Sequence, residues 1–306
     1  MSAQLADTVA MVAAPAFGSN PETQASNAFQ QAGTERDAAR LAAGEQDMLA
    51  ANLERAGVRV LRLAGQSGSP DALFPNNWFS THADGTLVLY PMFAPSRRRE
   101  RLADLGRQLA QAGYETRRVI DYSHHEREQR FLEGTGSLVL DRERRIAFAN
   151  ASPRTDELLA RQWAEEFDYE LCFFEARDPE GNPLYHTNVI MSLGPGVSIA
   201  CLEAIDENDR ARVRGRLEAR GELIEIGWTQ VCAFAGNQLF LAGPEGPVLA
   251  LSARAAQSLD ADQKARLDRH ARRVVTDIAV IERHGGGSVR CMLAEIFLPR
   301  STRSEA

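Results

Sequence analysis

Three residues of this 306-residue chain carry the side chains that nucleophilic catalysis needs, namely Cys291, His186 and Glu133. A thiolate can attack an electrophilic carbon, an imidazole can transfer protons, and a carboxylate can orient the imidazole and stabilise its cation. Cys291 follows three glycines, 285–287, which allow a backbone or ligand to approach closely and so favour a thiol presented at a site, at the start of an apolar stretch 292–298. Taken singly, each residue also fits a structural role, because most buried cysteines are inert and buried polar groups usually find structural partners.

Spacing along the chain links these residues to one another. Asn77, Glu133, His186, Asn237 and Cys291 recur at intervals of roughly 50 to 57 residues, a period typical of repeat and propeller architectures. Equivalent loops of a closed ring point toward its axis. We therefore expect the loops that carry the cysteine, the histidine and the glutamate to converge on a central pocket.

The elements that would position these loops repeat in the order strand, strand, helix, strand. One copy has predicted strands at 137–140, 145–149 and 169–174, with a helix at 155–167 between the last two. Other long elements are predicted as helices at about 35–56, 97–112, 207–220 and 253–272, and as strands at 8–14 and 274–281.

Five such modules would close into a ring if the N-terminal strand and helix complete the last one. Closure removes the exposed strand edges that short sheets otherwise leave for association. The predicted fold is therefore an α/β propeller with five-fold pseudosymmetry, built from ββαβ modules around a central active site, in one domain spanning 1–306.

Composition excludes several classes of function. A net charge of −7 and an isoelectric point near 5.5 argue against binding to nucleic acid, and the arginine-rich run 97–101 is interpreted as a solvated helix face. No leader-like or membrane-spanning stretch is evident, so we expect a cytoplasmic protein without a membrane partner. The four cysteines form no close pair, and no metal-ligand, phosphate-loop or dinucleotide motif occurs, so no metal or cofactor is predicted. A homodimer is the default oligomer.

Several motifs resemble the pentein superfamily of guanidino-group-modifying enzymes over the whole chain. They are Phe-Leu-Glu133-Gly-Thr-Gly, Tyr-His186-Thr-Asn188 and Gly-Gly-Gly-Ser-Val-Arg-Cys291-Met. Segments 17–23 and 74–82 look like signatures of the amidinotransferase-like or arginine deiminase-related branch, which includes bacterial citrulline-utilisation hydrolases. The resemblance implies the pentein propeller fold.

The resemblance also implies roles for individual residues. Cys291 would attack the central carbon of a guanidino or ureido group and form a covalent adduct. His186 would protonate the leaving nitrogen and later deprotonate the attacking water, while Glu133 holds His186. Asp71 would grip the terminal group of the substrate. Four further residues complete the expected substrate-binding set: Asn76, Asn77, Asn188 and Arg290.

Asparagines in two loops distinguish this chain from deiminases of that superfamily. Asn76 and Asn77 stand where dimethylarginine hydrolases carry an acidic residue, and Asn188 stands where arginine deiminases have aspartate. An amide can donate as well as accept a hydrogen bond, whereas surplus buried carboxylates facing a neutral urea would be costly. The sequence therefore predicts a neutral ureido substrate, citrulline, hydrolysed to ornithine, carbon dioxide and ammonia.

Three alternatives remain at this stage. An arginine deiminase or dihydrolase would use the same thiol on a guanidinium, and an amidinotransferase would resolve the adduct with an amine in place of water. A non-catalytic binding or assembly factor is also compatible with a closed repeat, although the acidic charge and the Cys, His and Glu set argue against it.

Overall fold

Five three-stranded sheets follow one another along the chain. The computed structural model describes residues 4–24, 26–31, 37–66 and 68–301. The strands are β1 (Thr8–Val12), β2 (Arg59–Leu63), β3 (Phe79–Thr81), β4 (Thr86–Leu89), β5 (Arg118–Asp121), β6 (Leu138–Asp141), β7 (Ile146–Asn150), β8 (Glu170–Phe174), β9 (Met191–Gly194), β10 (Val197–Ala200), β11 (Glu222–Glu225), β12 (Leu239–Gly243), β13 (Gly246–Ser252), β14 (Arg272–Thr276) and β15 (Ala294–Glu295).

Each sheet repeats one pairing scheme. The first strand pairs antiparallel with the second, and the second pairs parallel with the third, as in β3-β4-β5 and β6-β7-β8. A parallel neighbour requires a crossover connection, which is why a helical segment precedes the third strand of each sheet. The last sheet runs β15-β1-β2, so the N-terminal strand completes the module that the C-terminal strand begins. The predicted ββαβ order and the predicted closure are confirmed.

The first strands of the modules lie next to one another. Contacts join β15 to β3, β6 to β9, and β9 to β12, which places these short strands around the pseudosymmetry axis. The helices are α1 (Pro21–Gln24), α2 (Ala38–Arg55), α3 (Pro95–Arg98), α4 (Leu105–Gln111), α5 (Gly134–Ser137), α6 (Glu157–Glu166), α7 (Glu207–Glu218), α8 (Trp228–Cys232), α9 (Ala253–Ser258), α10 (Ala261–Asp268), α11 (Ala279–Gly285) and α12 (Val289–Met292), with 3₁₀ turns at Pro75–Asn77, Ser123–Glu128, Thr187–Val189 and Leu202–Ala204.

Several predicted element bounds were wrong. The segment 97–112 forms two short helices, α3 and α4, and 253–272 forms α9 and α10. Asp260 separates the second pair, because its side chain accepts from the Gln263 amide and starts a new helix. The segment predicted as a strand at 274–281 ends β14 and begins α11. The predicted start of the first long helix, near residue 35, lies outside the described residues.

The run 97–101 is not a solvated helix face. Arg97 is 2% exposed and Glu100 is 1% exposed, and the two side chains form a buried ion pair with an N–O distance of 2.9 Å. Positions three apart share one face of a helical turn, so this face can point inward while Arg99 stays exposed. No helix in the described part of the chain is both long and apolar enough to span a bilayer.

Candidate active site

The glycine run turns the chain between two helices beside a cavity. Gly286 ends α11 with φ of 62°, a left-handed conformation that favours glycine, and a Cβ there would lie 2.5 Å from Asn27 Nδ2. Its carbonyl accepts hydrogen bonds from Tyr185 Oη (2.7 Å) and from Asn27 Nδ2 (3.1 Å). Cys291 sits in the one-turn helix α12, just before the short strand β15.

The Cys291 thiol is buried, 3% exposed, and borders a small cavity. Asn237 Nδ2 lies 3.3 Å from Sγ, and Asn188 Nδ2 lies 4.0 Å from it. Burial raises the pKa of the thiol, although the Ser288 backbone, Asn237 and nearby arginines oppose that rise. At neutral pH the thiol thus carries its proton, and attack on a carbon requires a base.

His186 supplies a base on the same cavity. Its Nε2 is 2.8 Å from Glu133 Oε2, and both residues are almost fully buried. Burial raises the pKa of Glu133, but Arg154, His186 and Arg97 together lower it to about 2, so the carboxyl is ionised. Burial lowers the pKa of His186 to about 4 despite the carboxylate, so the imidazole is neutral at pH 7.

The ionised carboxylate also fixes the tautomer of the imidazole. Nε2 must carry the hydrogen that it donates to Glu133, which leaves Nδ1 as an acceptor. Nδ1 has no hydrogen-bond partner among the residues that the structure describes. It is therefore free to accept a proton from a thiol or from water.

Two buried arginines that sequence reasoning missed complete the charge distribution. Arg97 Nη1 is 3.8 Å and Arg154 Nη1 is 3.6 Å from Glu133 Oε2. Arg97 also donates to Asn77 Oδ1 (2.8 Å), to the Phe74 carbonyl and to Glu100. Nothing in the local sequence distinguishes Arg97 from the arginines that follow it, since two of its partners, Asn77 and Phe74, come from another loop.

The predicted binding residues fall into three groups. Asp71 and Asn77 line the cavity together with Cys291 and His186, and Asn188 lies beside the thiol. Asp71 Oδ2 accepts from Asn20 and Thr23, while its Oδ1 has no partner within the described ranges. Asn76 is fully buried but is not among the residues that line the cavity.

Arg290 is the predicted binding residue that points elsewhere. Its guanidinium donates to the Leu293 carbonyl and to Glu295 Oε2, both at 2.9 Å, and it lines a different cavity. Adjacent residues of a helical turn project about 100° apart, so Cys291 and Arg290 face different directions. Its assignment to the binding set was therefore wrong.

Two glycines after Glu133 make the close packing of this site possible. Gly134 has φ of 47°, and a Cβ there would lie 2.4 Å from the Asn76 carbonyl oxygen. A Cβ at Gly136 would lie 2.4 Å from Asn77 Nδ2 and 2.7 Å from His186 Nδ1. The Asn77 amide and the His186 imidazole thus pack directly against Gly136, where any side chain would clash with them.

Replacing Gly136 by alanine will displace the imidazole or the Asn77 amide. We expect kcat/KM to fall by about 10²-fold, because a shift of about 1 Å in a reacting group has that effect. Gly106→Ala is the control, since a Cβ there meets nothing within 4 Å. Steady-state kinetics of both variants measure the effect, and circular dichroism verifies that they fold. Full activity of Gly136→Ala would contradict the close packing of Asn77 and His186 against Gly136.

A comparison with protein families assigns the chain. The profile of the family described as N,N dimethylarginine dimethylhydrolase, eukaryotic, matches residues 13–298. The chain belongs to this dimethylarginine dimethylhydrolase family. It is therefore a member of the pentein superfamily of guanidino-modifying enzymes, as its motifs predicted, and its relatives are hydrolases. No curated protein matches the sequence.

Solved structures share the fold of this family member at low identity. The N-terminal domain of ArgZ, an arginine dihydrolase from cyanobacteria, is 16% identical over 95% of this chain and 99% of that one, with a TM-score of 0.73. Unliganded AgrE is 18% identical over 97% of this chain and 40% of that one, with a TM-score of 0.75. A dimethylarginine dimethylaminohydrolase adduct with S-methyl-L-thiocitrulline is 14% identical over 95% and 100%, with a TM-score of 0.66. The predicted five-module propeller is confirmed.

For a member of the dimethylarginine dimethylhydrolase family, this arrangement offers thiol chemistry. A protonated thiol, a neutral imidazole with a free Nδ1 and an ionised carboxylate behind it form a nucleophile, a base and an orienting group. The part of the chain that the structure describes contains no group of three His, Cys, Asp or Glu residues that could hold a metal ion. The catalytic roles of Cys291, His186 and Glu133 stay predictions, which the variants below test.

Proposed function

We propose that this protein hydrolyses the ureido group of citrulline to ornithine, carbon dioxide and ammonia. The observation that carries the proposal is the orientation of the Asn77 amide. Arg97 donates to Asn77 Oδ1 at 2.8 Å, so Oδ1 is held by a cation and Nδ2 is left as a donor without a partner among the described residues. A donor at this position suits the carbonyl oxygen of a ureido group, which a guanidinium lacks.

The charges that line the cavity support the same choice. Two arginines, Arg97 and Arg154, and one aspartate, Asp71, border it. Arg97 and Arg154 also face the buried carboxylate of Glu133, so positive and negative charges nearly balance here. No surplus carboxylate is left to pair with a cationic guanidinium, and a neutral ureido group needs none. The arginines can hold an α-carboxylate and Asp71 Oδ1 an α-ammonium, which together fit the head group of a free amino acid.

The proposed reaction begins with transfer of the Cys291 proton to His186 Nδ1. Sγ then forms a bond to the ureido carbon, and negative charge develops on the oxygen that Asn77 Nδ2 faces. His186 returns the proton to the terminal nitrogen, which leaves as ammonia, and an S-thiocarbamate remains. Water, deprotonated by His186, attacks this adduct; the thiol is restored, and the released N-carboxyornithine loses carbon dioxide to give ornithine.

Arginine dihydrolysis is the second candidate. ArgZ, which shares the fold with a TM-score of 0.73, is an arginine dihydrolase, and Asp71 Oδ1 could accept from a guanidinium. Incubation of the purified protein with each amino acid separately, with ornithine and ammonia measured, separates the candidates. Ornithine from citrulline supports our proposal, and turnover of arginine with none of citrulline overturns it. A new guanidino compound formed from arginine and an added amine would indicate an amidinotransferase.

Replacing Asn77 by aspartate will remove the donor and add an anion. We expect kcat/KM for citrulline to fall by about 10- to 100-fold, since a charge-assisted hydrogen bond is worth about 1.5–3 kcal/mol, and binding of a guanidinium compound to tighten. Asn208→Asp, an exposed position on α7, controls for the added charge. Competition kinetics with citrulline and arginine measure the selectivity; an unchanged ratio would remove the electrostatic argument.

The cytoplasmic compartment predicted from the sequence also stays a proposal. All four cysteines carry free thiols, which is usual in a reducing compartment.

A further inference from the structure

A second cavity lies on the pseudosymmetry axis, apart from the thiol pocket. It is small and is bordered by residues of the first strands β6, β9, β12 and β15. We call it the axial cavity. Thr135 lies on its border, and the Thr135 carbonyl accepts from Asn188 Nδ2 at 3.2 Å, so a thin layer of backbone separates it from the thiol.

Positive charge exceeds negative charge in the axial cavity. Arg142, Arg290 and Glu295 border it. Both guanidinium groups point toward the same carboxylate oxygen, Glu295 Oε2. Arg290 Nη2 lies 2.9 Å from that oxygen and Arg142 Nη2 lies 3.9 Å from it, which is too long for a hydrogen bond. The Arg142 guanidinium also lies over the Phe297 ring, 3.9 Å from its centre.

This arrangement leaves one buried cation without a full counter-charge. Arg142 is 4% exposed and Arg290 is 8% exposed, so water screens neither side chain well. A buried charge is costly unless it is paired and hydrogen-bonded. A bound monovalent anion would restore the balance.

Two neutral groups on the same cavity indicate the kind of anion. The Ser192 hydroxyl and Gln238 Oε1 are both buried and have no hydrogen-bond partner within the described residues. Gln238 Nε2 donates to the Ala235 carbonyl, so its Oε1 is held as an acceptor. Guanidinium groups match planar oxyanions, the serine can donate to such an ion, and the glutamine can accept from a hydroxyl on it.

We propose that the axial cavity is a binding site for a small planar oxyanion that carries one hydroxyl group, with bicarbonate as the fitting member of that class. Arg142 and Arg290 would bind its charged oxygens, Ser192 would donate to it, and Gln238 would accept from its hydroxyl. This site does not depend on which substrate the thiol pocket takes.

Binding can be tested on the full chain by thermal unfolding at pH 8 with bicarbonate, against chloride at equal ionic strength. At about ten times the dissociation constant, bicarbonate should raise Tm by about 2 °C, and chloride should not. The same rise should persist after the thiol has been alkylated with a haloacetamidine. A bicarbonate effect no larger than that of chloride, or one lost on alkylation, would overturn the proposal.

Two variants locate the anion. Ser192→Ala removes a hydroxyl that has no partner without the anion, so it should leave the unliganded Tm nearly unchanged and weaken bicarbonate binding about tenfold in calorimetry. Arg142→Gln should abolish binding, and Arg142→Lys should restore part of it. Arg59→Gln is the matched control, because Arg59 also lies over an aromatic ring, Tyr114, but is exposed. Binding of wild-type strength in both Ser192→Ala and Arg142→Gln would refute the site.

Discussion

Cys291→Ala will abolish hydrolysis of the substrate while leaving the fold and the binding pocket in place. Without Sγ no covalent adduct can form, and the cavity contains no second nucleophile of comparable strength among the described residues that line it. We expect kcat to fall by at least about 10⁴-fold, the scale on which removal of a catalytic nucleophile acts. Because the side chain is small and borders a cavity, the loss of packing should be modest.

The measurement combines kinetics with mass spectrometry. Wild-type protein quenched during turnover should carry an adduct on the peptide that contains Cys291, and the alanine variant should carry none, although calorimetry still detects substrate binding. Cys172→Ala is the matched control, because Cys172 is also a buried free thiol, 3% exposed, and does not line this cavity. Residual activity above 1% in Cys291→Ala, or an adduct on another residue, would show that the thiol is not the nucleophile.

The ring and the convergence of three loops could be predicted because they follow from local patterns. The spacing of Asn77, Glu133, His186, Asn237 and Cys291 reports the module length, and strand–helix alternation reports the module content. The structure brings Cys291 and His186 to one cavity, with Glu133 behind the imidazole. Asn237 was recognised as a repeat position, but its contact with Sγ could not be inferred from the period alone.

The positions of the arginine side chains could not be predicted from the sequence, because they depend on partners elsewhere in the chain. Arg97 lies inward because Asn77, Phe74 and Glu100 satisfy its guanidinium, and only the last of these is a near neighbour in sequence. Arg154 is fixed by the Thr23 carbonyl and the Ser26 hydroxyl, about 130 residues away. Arg290 was assigned to the wrong cavity because adjacency in sequence to Cys291 does not fix direction on a helical turn.

Replacing Glu133 by glutamine will test whether the carboxylate acts through His186. The amide can keep a hydrogen bond to Nε2 but no longer requires Nε2 to carry the proton, so part of the imidazole will adopt the tautomer with a protonated Nδ1. That tautomer cannot accept the thiol proton. We expect kcat/KM to fall by about 10³- to 10⁴-fold, with a smaller change in KM, because the lost interaction orients the base and does not bind substrate.

The pH profile separates this role from a purely structural one. In the wild-type protein the pKa of His186 is about 4, so its base form is lost, and kcat/KM falls, as the pH drops through about 4. The carboxylate stabilises the imidazolium, and its removal must lower that pKa further. In the pH profile of kcat/KM for Glu133→Gln, the acid limb should therefore move to lower pH, while the plateau value is reduced.

A second histidine–glutamate pair provides the control. His125 Nδ1 lies 3.1 Å from Glu128 Oε2, and neither residue lines the thiol cavity, so Glu128→Gln makes the same change in a His–Glu contact outside that cavity. It should change neither the plateau nor the acid limb. If Glu133→Gln lowers the plateau but leaves the acid limb at the wild-type pH, the glutamate acts on the pocket through Arg97 and Arg154, its other close neighbours, and not through the imidazole.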